Sequence, residues 1–205
     1  NITDGNIVDR GSRDNRISIS DLARTVYYRG NELPSDMSLE LIATRHYRVT
    51  DMPFVFTNGA MAAHIEIDIE TGIIKVLNFW AVEDCGRVIN PMLVDEQIRG
   101  GVVQGIGSAL YEECLYSEEG QLLNATLADY LVPMAAEMPE IHVAHIETPT
   151  KTSVLGAKGA GEAGTGGAPA AIINAVNNAL RPFGVTNFQI PMTPNRMLET
   201  LKAAK

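Results

Sequence analysis

Residues 60–70 show the clearest alternation in the chain, with isoleucines on one side and acidic residues on the other. Strict alternation of this kind predicts a strand with one buried face. Thr71-Gly72 predicts a turn, and residues 73–82 return with apolar side chains on both faces, which is typical of a central strand. The two segments together predict a β-hairpin.

The N-terminal end of the chain predicts a small hairpin followed by a helix. Residues 1–19 contain short apolar alternations separated by Gly, Asp and Asn. Ser18 and Asp21 have the spacing of a helix capping box, so a short helix should follow, through about Tyr28. Gly30 should end that helix, because glycine is favoured just beyond helix C-termini.

Residues 31–38 then predict a loop, and residues 39–49 have the pattern of a strand. We therefore expect residues 1–58 to form an N-terminal hairpin, a helix and a linking strand. Residues 59–205 should form a second, larger domain.

A long helix is predicted over residues 92–113, entered through a turn at Cys85–Pro91. Its interior contains four glycines: Gly100, Gly101, Gly105 and Gly107. Each costs about 0.5–1 kcal/mol of helix stability relative to alanine. Something must therefore approach this backbone closely. Another helix is the commoner explanation, and a bound ligand is the alternative.

The rest of the chain alternates between extended and helical patterns. It predicts a hairpin over 114–132, a strand over 140–147, a helix from Pro169 to Leu180 ended by Gly184, and a last helix starting at Thr193-Pro194. These elements indicate an α+β fold, in which mixed or antiparallel hairpins pack with helices.

A glycine-rich loop, residues 156–167, precedes the predicted helix at Pro169, and six of its twelve residues are glycine. Glycine lets a ligand approach the main chain, and helix N-termini favour anions. The loop therefore predicts a ligand-binding segment, and a plain flexible connection is the alternative.

Gly159, Gly161 and Gly164 also match the spacing G-x-G-x-x-G. A dinucleotide site further needs a strand directly before the motif and an acidic residue about 20 positions after it. Neither is present, and no G-K-[ST] follows that would make a P-loop. A nucleotide-binding module is therefore the weakest of the alternatives.

Glu162 is the only acidic residue between Glu147 and Glu199, and it lies inside the glycine-rich loop. A carboxylate held by such a loop suits a general base, which must lie within hydrogen-bond reach of the proton that it removes. A solvated loop carboxylate is an equally good reading of this residue from the sequence alone.

Charge and composition narrow the class of protein. The formal net charge of −9 argues against nucleic acid as the main partner, because phosphate binding needs clustered cations. No apolar run is long enough to span a membrane, and no secretory leader is visible.

Cys85 and Cys114 are too few for an iron–sulfur or four-cysteine zinc site, and we expect reduced thiols in a cytoplasmic protein. Because the chain opens on Asn1 and not on Met, we expect a fragment, a processed product or one piece of a larger polypeptide.

Five motifs, in the same order, resemble the large, molybdenum-binding subunit of the xanthine dehydrogenase/aldehyde oxidase family, which includes aerobic carbon monoxide dehydrogenase. They are Asp84–Pro91, Gly100–Gly107, Asp129–Pro133, Glu147–Pro149 and Gly156–Glu162. The resemblance implies that this chain is the C-terminal half or part of that subunit, and that the other half of the molybdenum site is not in it.

This resemblance implies roles for particular residues. Glu162 matches the glutamate that acts as the general base toward the molybdenum-bound hydroxide. Gln104 matches a glutamine that hydrogen-bonds the cofactor, and Gln97 is a weaker candidate. The backbone of the glycine-rich loop would approach the metal and the pterin at Lys158, Gly159, Ala160 and Gly161. No protein ligand to molybdenum is expected, because the pterin dithiolene holds the metal.

The implied reaction is oxidative hydroxylation of an aldehyde or an N-heteroaromatic small molecule. The implied cofactor is molybdopterin with molybdenum, in its mononucleotide or cytosine dinucleotide form. Iron–sulfur clusters and FAD would belong to partner chains, alongside the rest of the large subunit. A non-catalytic cofactor-binding or assembly domain remains the alternative function, with no nucleic acid or membrane partner in either case.

Overall fold

The computed structural model describes residues 1–12, 14–48 and 55–203. The chain forms two compact units, Asn1–Arg48 and Val49–Lys205. Across the described ranges, none of the helices combines the length and the apolar character needed to cross a bilayer.

The first unit contains a three-stranded antiparallel sheet, where the sequence had predicted a two-stranded hairpin. Its strands are β1 (Ile2–Thr3), β2 (Asn6–Val8) and β3 (Arg16–Ser18), in the order β1-β2-β3. The additional strand consists of the first residues of the chain, whose pattern is too short to be recognised in sequence.

The predicted capping of the first helix is confirmed. Helix α1 spans Ile19–Tyr28, and the Ser18 hydroxyl oxygen accepts a hydrogen bond of 2.9 Å from the backbone N–H of Asp21. The Ser18 hydroxyl in turn donates to the Asp21 carboxylate at 2.7 Å. A short 3-10 helix, Gly30–Glu32, follows directly, so Gly30 lies just beyond the end of α1 as expected.

The strand predicted over residues 39–49 is wrong for residues 39–48, which form irregular structure, and residue 49 lies outside the described residues. The backbone N–H of Leu41 donates to the Tyr27 hydroxyl at 3.3 Å instead of to a neighbouring strand. An alternating pattern becomes a strand only where a partner supplies the backbone hydrogen bonds, and here a side chain takes that place.

The second unit is built on a mixed three-stranded sheet. Strands β4 (Asn58–Ile67) and β5 (Ile74–Asp84) form the predicted hairpin, with the turn at residues 69–71 followed by Gly72. Strand β6 (Glu140–His145) pairs in parallel with β5, so β5 is central as predicted. β4 ends before Ile69, which is 55% exposed and does not continue the buried face.

A β-bulge explains why β5 carries apolar residues on both faces. Residues on either side of Leu77 pair with adjacent residues of β4, so Leu77 is the extra residue of the ladder. The bulge reverses the alternation along the strand. Ile74 and Val76 before it, and Phe79 after it, therefore all reach the same core.

Two long helices and a C-terminal one pack with this sheet around a single core. They are α2 (Pro91–Leu110), α3 (Ala163–Leu180) and α4 (Pro194–Ala203). α2 was predicted to reach residue 113, but it ends earlier because the N–H groups of Tyr111 and Glu112 both donate to the Gly107 carbonyl oxygen. The predicted ends at Gly184 and Thr193-Pro194 agree with the structure.

Helix–helix packing accounts for part of the glycine content of α2. A Cβ on Gly101 would lie 2.9 Å from the backbone nitrogen of Thr165, and one on Gly105 would lie 2.5 Å from the Cβ of Ala168. Both neighbours belong to α3, so these glycines let the two helices touch. A Cβ on Gly100, in contrast, would meet no atom of another element within 4 Å among the residues that the structure describes.

Helix α3 begins at Ala163, six residues before the predicted start at Pro169. The glycine-rich segment therefore contributes the first turns of the helix as well as the loop before it. The backbone N–H of Gly166 donates to the Glu162 carbonyl oxygen at 3.1 Å, which begins the helical pattern. Contact with α2 stabilises these turns, and this contact is not visible in the local sequence.

The hairpin predicted over residues 114–132 forms only near its turn, where Tyr116 and Leu122 make an isolated bridge. Two backbone hydrogen bonds flank it, from the N–H of Ser117 to the Gln121 oxygen at 2.9 Å and from the N–H of Leu123 to the Leu115 oxygen at 2.7 Å. Beyond this short ladder the Asn124 side chain takes the place of further backbone bonds: it accepts from the N–H of Leu115 at 2.9 Å and donates to the Glu113 carbonyl oxygen at 2.5 Å. A buried amide side chain thus satisfies backbone groups that a second strand would otherwise pair.

Candidate functional site

A cleft of about 670 Å³ opens between the glycine-rich loop, the first turns of α3 and the adjoining ends of β4 and β5. Its lining residues are Thr57, Gly59, Met61, Glu83, Gly159, Gly161, Glu162, Ala163, Gly166, Gly167, Ala170, Ala171 and Asn174. Most of these side chains are small or absent, so a ligand in the cleft would contact mainly backbone.

Glu162 lies at the N-terminus of α3, where the loop becomes helix. Its backbone carbonyl begins the helix, but its side chain makes no capping hydrogen bond. The residue is exposed on the cleft. Because the side chain is exposed and makes no capping hydrogen bond, it is available to a bound ligand, and the positive end of the helix dipole favours a negative charge at this position.

The loop is attached to the turn that follows β5. The backbone N–H of Lys158 donates to the Cys85 carbonyl oxygen at 2.7 Å, and that of Arg87 donates to the Gly156 carbonyl oxygen at 3.0 Å. Gly86 sits between them with a φ of +69°, and a Cβ there would overlap the Gly156 oxygen. The two motifs predicted separately therefore form one structural unit.

A buried ion pair secures this unit. The Asp84 carboxylate accepts hydrogen bonds from the Thr148 hydroxyl, from the backbone N–H groups of Gly86 (2.9 Å) and Thr148 (3.1 Å), and from the Lys158 ammonium (3.2 Å). These bonds, that from the Thr148 hydroxyl above all, hold the pKa of Asp84 well below its usual range. The Lys158 ammonium also donates to the Thr148 hydroxyl oxygen at 2.6 Å.

This pairing restricts what Lys158 contributes to the cleft. Its side chain is only 10% exposed and is held by Asp84 and Thr148, and Lys158 is not among the residues that line the cleft. Ala160 does not line the cleft, whereas its neighbours Gly159 and Gly161 do. Contact between the cofactor and these four residues stays a prediction.

The two candidate glutamines of α2 occupy different positions. The Gln97 side chain donates to the Gly161 carbonyl oxygen at 2.6 Å and so supports the loop directly. The side-chain amide oxygen of Gln104 accepts from the Thr165 hydroxyl at 3.2 Å, and Gln104 does not line the cleft. Both contact the segment around Glu162, and the cofactor role of Gln104 stays a prediction.

The glycines of the segment divide into two groups. A Cβ on Gly164 would overlap the Ile98 carbonyl oxygen, so helix packing requires this glycine. A Cβ on Gly161 or Gly166 would meet no atom of the described chain within 4 Å, and one on Gly159 would meet only Thr57, at 4.0 Å. Packing within the chain therefore does not explain Gly159, Gly161 and Gly166, whereas Gly59 and Gly167, which also line the cleft, lie against Glu83 and Met61.

Glu83 is a second acidic residue of the cleft, and sequence reasoning missed it. It is 3% exposed near the C-terminal end of β5, and a Cβ on Gly59 of β4 would overlap its carboxylate. Burial raises the pKa of Glu83 to about 6, while His145 acts in the opposite direction. Only the bulge at Leu77, which sets the face of each later residue, would have revealed this placement.

A family model described as a molybdopterin cofactor-binding domain matches residues 1–139 of the chain. The chain belongs to this family. The resemblance identified from the five motifs and the predicted α+β class are therefore both confirmed.

Relatives of the molybdopterin-binding chain extend the match beyond residue 139. The nicotine 6-hydroxylase large subunit of Paenarthrobacter nicotinovorans is 42% identical over 192 residues, covering 94% of this chain and 23% of the relative. The carbon monoxide dehydrogenase large chain of Hydrogenophaga pseudoflava is 34% identical, covering 90% of this chain and 22% of the relative.

Among solved structures, the crystal structure of quinoline 2-oxidoreductase from Pseudomonas putida 86 superposes with a TM-score of 0.80 at 39% identity. The match covers 98% of this chain and 25% of that one. The molybdopterin-binding chain thus spans about a quarter of the length of its relatives. Among its described residues, no three His, Cys, Asp or Glu side chains are grouped so as to hold a metal ion.

Glu83 makes the stability of the domain depend on pH. Because its folded-state pKa is raised from 4.5 to about 6, ionisation opposes folding once the pH exceeds the unfolded value, and the full penalty is present above about pH 6. The penalty corresponds to about 2 kcal/mol. We therefore compare the free energy of unfolding of Glu83→Gln with that of wild type at pH 4 and at pH 8. The difference should favour the variant by about 2 kcal/mol more at pH 8 than at pH 4.

Urea denaturation at the two pH values measures this difference. The exposed Glu140→Gln, on β6, is the matched control and should change stability by less than about 0.5 kcal/mol. An equal effect of Glu83→Gln at pH 4 and pH 8 would show that the Glu83 carboxyl ionises as readily in the folded chain as in the unfolded one.

Proposed function

We propose that this domain forms part of the cofactor and substrate site of a molybdenum hydroxylase, with Glu162 as the general base. The substrate class is an aldehyde or an N-heteroaromatic compound that is oxidatively hydroxylated. The observation that carries the proposal is the cleft itself, in which a carboxylate without a capping partner faces glycines that packing does not require.

The residues of the cleft suit a large cofactor that is held mainly by backbone. Gly159 and Gly161 leave space where side chains would otherwise project, and Gln97 holds the Gly161 carbonyl in place. Gln104 and the backbone of Lys158 and Ala160 complete the proposed binding set. When bound, molybdopterin with molybdenum would supply the two-electron oxidation of the substrate carbon.

Glu162 would take up one proton at its carboxylate during the reaction. The position suits this task, because α3 begins at the next residue and fixes the backbone, while the side chain reaches the cleft. A positioned base of this kind typically contributes a factor of about 10²–10⁴ to rate. The Asp84–Lys158 pair and Gln97 act on Glu162 indirectly, by fixing the loop.

The remaining cofactors and partners follow from the same proposal. Cys85 is buried and Cys114 is exposed, and two thiols do not make an iron–sulfur site in the described part of the chain. Iron–sulfur clusters and FAD would therefore be carried by partner subunits or domains. The rest of the large subunit would complete the pocket around Glu162.

Molybdenum content of the assembled protein tests the proposal. We expect about one molybdenum per large subunit when the full-length protein is purified from its native host and analysed by elemental mass spectrometry. An assembled complex without molybdenum would contradict the proposal and favour an assembly role.

The nucleotide-binding alternative is not supported by the position of the third motif glycine. Gly164 is buried against α2, where a Cβ would lie 2.8 Å from the Val102 backbone nitrogen, so its absent side chain serves helix packing. Titration of the same preparation with NAD or ATP is expected to give no saturable binding at the loop.

A further inference from the structure

Glu83 is a buried titratable group that the proposed reaction does not use. Only 3% of its surface is exposed, yet it lines the same cleft as Glu162. Among the described residues, no group donates a hydrogen bond to its carboxylate. Its pKa is raised by burial and lowered by the nearby His145. The side-chain atom that is fully buried without a partner in the described part of the chain is Nδ1 of the neighbouring His145, so the partnerless Glu83 oxygens still reach the cleft and are open to a ligand.

The pairing of the three strands sets the position of the Glu83 carboxylate. Glu83 pairs with Gly59 on β4 and with His145 on β6, so it stands at the centre of the sheet edge that faces the cleft. The absent side chain of Gly59 makes the space that the carboxylate fills. His145 is itself held by Asp95 of α2, through a contact of 2.6 Å at its Nε2 atom, so it is not free to turn toward Glu83.

We infer that Glu83 accepts a hydrogen bond from an N–H group of a ring-shaped ligand bound in the cleft. A carboxylate accepts such bonds and cannot donate them, and those to charged groups are the stronger kind. The glycines at 159 and 161 leave the opposite wall without side chains, so a flat ring is able to lie close to the backbone. This inference rests on the proposed function only for the identity of the ligand.

Two sources of the N–H group are compatible with this chemistry. One is the substrate, if it is an N-heterocycle, and the other is the pterin ring of the cofactor. The first makes Glu83 a residue that selects substrates, and the second makes it a residue that retains the cofactor. Binding of ring N–H probes tests the first source, and the pterin and molybdenum contents of the variants test the second.

The ionisation of Glu83 also predicts how binding depends on pH. Its pKa of about 6 means that the carboxylate is the main form at pH 7.5 and the neutral acid is the main form at pH 5. The titratable groups around it are His145 from β6 with Asp95 of α2 against it, Glu162 from the start of α3, and Asp84, the last residue of β5, in its pair with Lys158. Since Glu162 shares the cleft, only the difference between wild type and a Glu83 variant isolates Glu83.

The test compares wild type with Glu83→Met and Glu83→Gln in the assembled enzyme, with Glu140→Gln as the exposed control. Met removes the acceptor at similar length, and Gln keeps the shape in case Met prevents folding. The probes are 2-pyridone, which carries a ring N–H, and N-methyl-2-pyridone, which lacks it. Binding is measured by calorimetry at pH 5 and pH 7.5, and the pterin and molybdenum contents of each preparation are determined.

If the substrate supplies the N–H group, wild type should prefer 2-pyridone by about tenfold at pH 7.5 and by much less at pH 5. Glu83→Met should lose the preference at both pH values, with cofactor content unchanged. If the pterin supplies it, wild type should show no such preference, and Glu83→Met should lose most of its pterin and molybdenum. Glu83→Gln should move each readout in the same direction by a smaller factor, and Glu140→Gln should match wild type.

The inference is overturned if wild type shows no preference and Glu83→Met keeps its full cofactor content. It is also overturned if Glu83→Met only prevents assembly of the subunits, because then a segment of protein occupies the position. Failure of the proposed function looks different, since wild type itself would then contain no molybdenum. The two pyridones still test Glu83 in that case.

Discussion

Glu162→Gln is expected to lower kcat of the assembled enzyme by about 100-fold or more, with little change in KM. The amide keeps the size and the hydrogen-bonding shape of the side chain, but it cannot take up a proton at neutral pH. The start of α3 should be unaffected, because the backbone carbonyl of Glu162 and not its side chain begins the helix. The variant should therefore retain its cofactor and its stability.

Steady-state kinetics together with molybdenum content decides the outcome. Glu199→Gln, which changes an exposed acid on α4, is the matched control and should keep wild-type turnover. Turnover close to wild type in Glu162→Gln would reject the role of general base. Combined with a normal molybdenum content, that result would favour a domain that holds the cofactor without taking part in proton transfer.

Gly164→Ala is expected to destabilise the second unit by about 3 kcal/mol, toward the upper end of the range for overpacked cores. Its Cβ would overlap the Ile98 carbonyl oxygen and lie 3.0 Å from the Cα of Gly101, and both neighbours are backbone atoms of α2 that no side-chain rotation can move. The two helices would have to separate. Because Glu162 is two residues away, activity should fall with stability.

Gly166→Ala is the matched control for this substitution. It lies in the same helix, but its Cβ would meet no atom of the described chain within 4 Å. Alanine should therefore gain up to about 1 kcal/mol from helix propensity. Urea denaturation followed by circular dichroism measures both variants, and equal stabilities for them would show that the α2–α3 contact does not limit residue size at position 164.

Gly166→Ala also bears on the cleft. If a cofactor lies against this wall, the added methyl group should reduce cofactor content although it stabilises the helix. The chain packing alone gives no reason for glycine at this position, since it neither carries a positive φ nor touches a neighbour. A gain in stability together with a loss of cofactor would show that glycine at position 166 is needed for binding and not for folding.

Local patterns were sufficient for many of the elements. The alternation before Thr71-Gly72 predicted the β4–β5 hairpin, and the Ser18 and Asp21 spacing predicted α1. The glycine-rich segment and its acid were recognisable as a candidate site because their composition is unusual for a loop or a helix. In each case, the physical cause acts within a few residues, so the sequence shows it directly.

Contacts between distant segments decided the rest. The strand predicted over residues 39–49 does not form at residues 39–48, because a local pattern does not provide a partner strand. Helix α3 begins earlier than predicted, because its contact with α2 stabilises glycines that would not start a helix alone. Gln97 and Gln104 looked alike in sequence, yet only Gln97 contacts the Gly161 carbonyl. The two residues are seven positions apart and lie on nearly the same side of α2, so their positions along the helix axis, about two turns apart, distinguish them.

The sequence by itself determined the family, the order of most elements, and the glycine-rich segment with Glu162. Short-range rules and characteristic motifs carry this information. Only the tertiary structure decided that Lys158 turns away from the cleft into an ion pair with Asp84, and that Glu83 is buried in the wall of the cleft. Burial and pairing depend on residues that are far apart along the chain, and a bulge of one residue at Leu77 is enough to change which side chains reach the site.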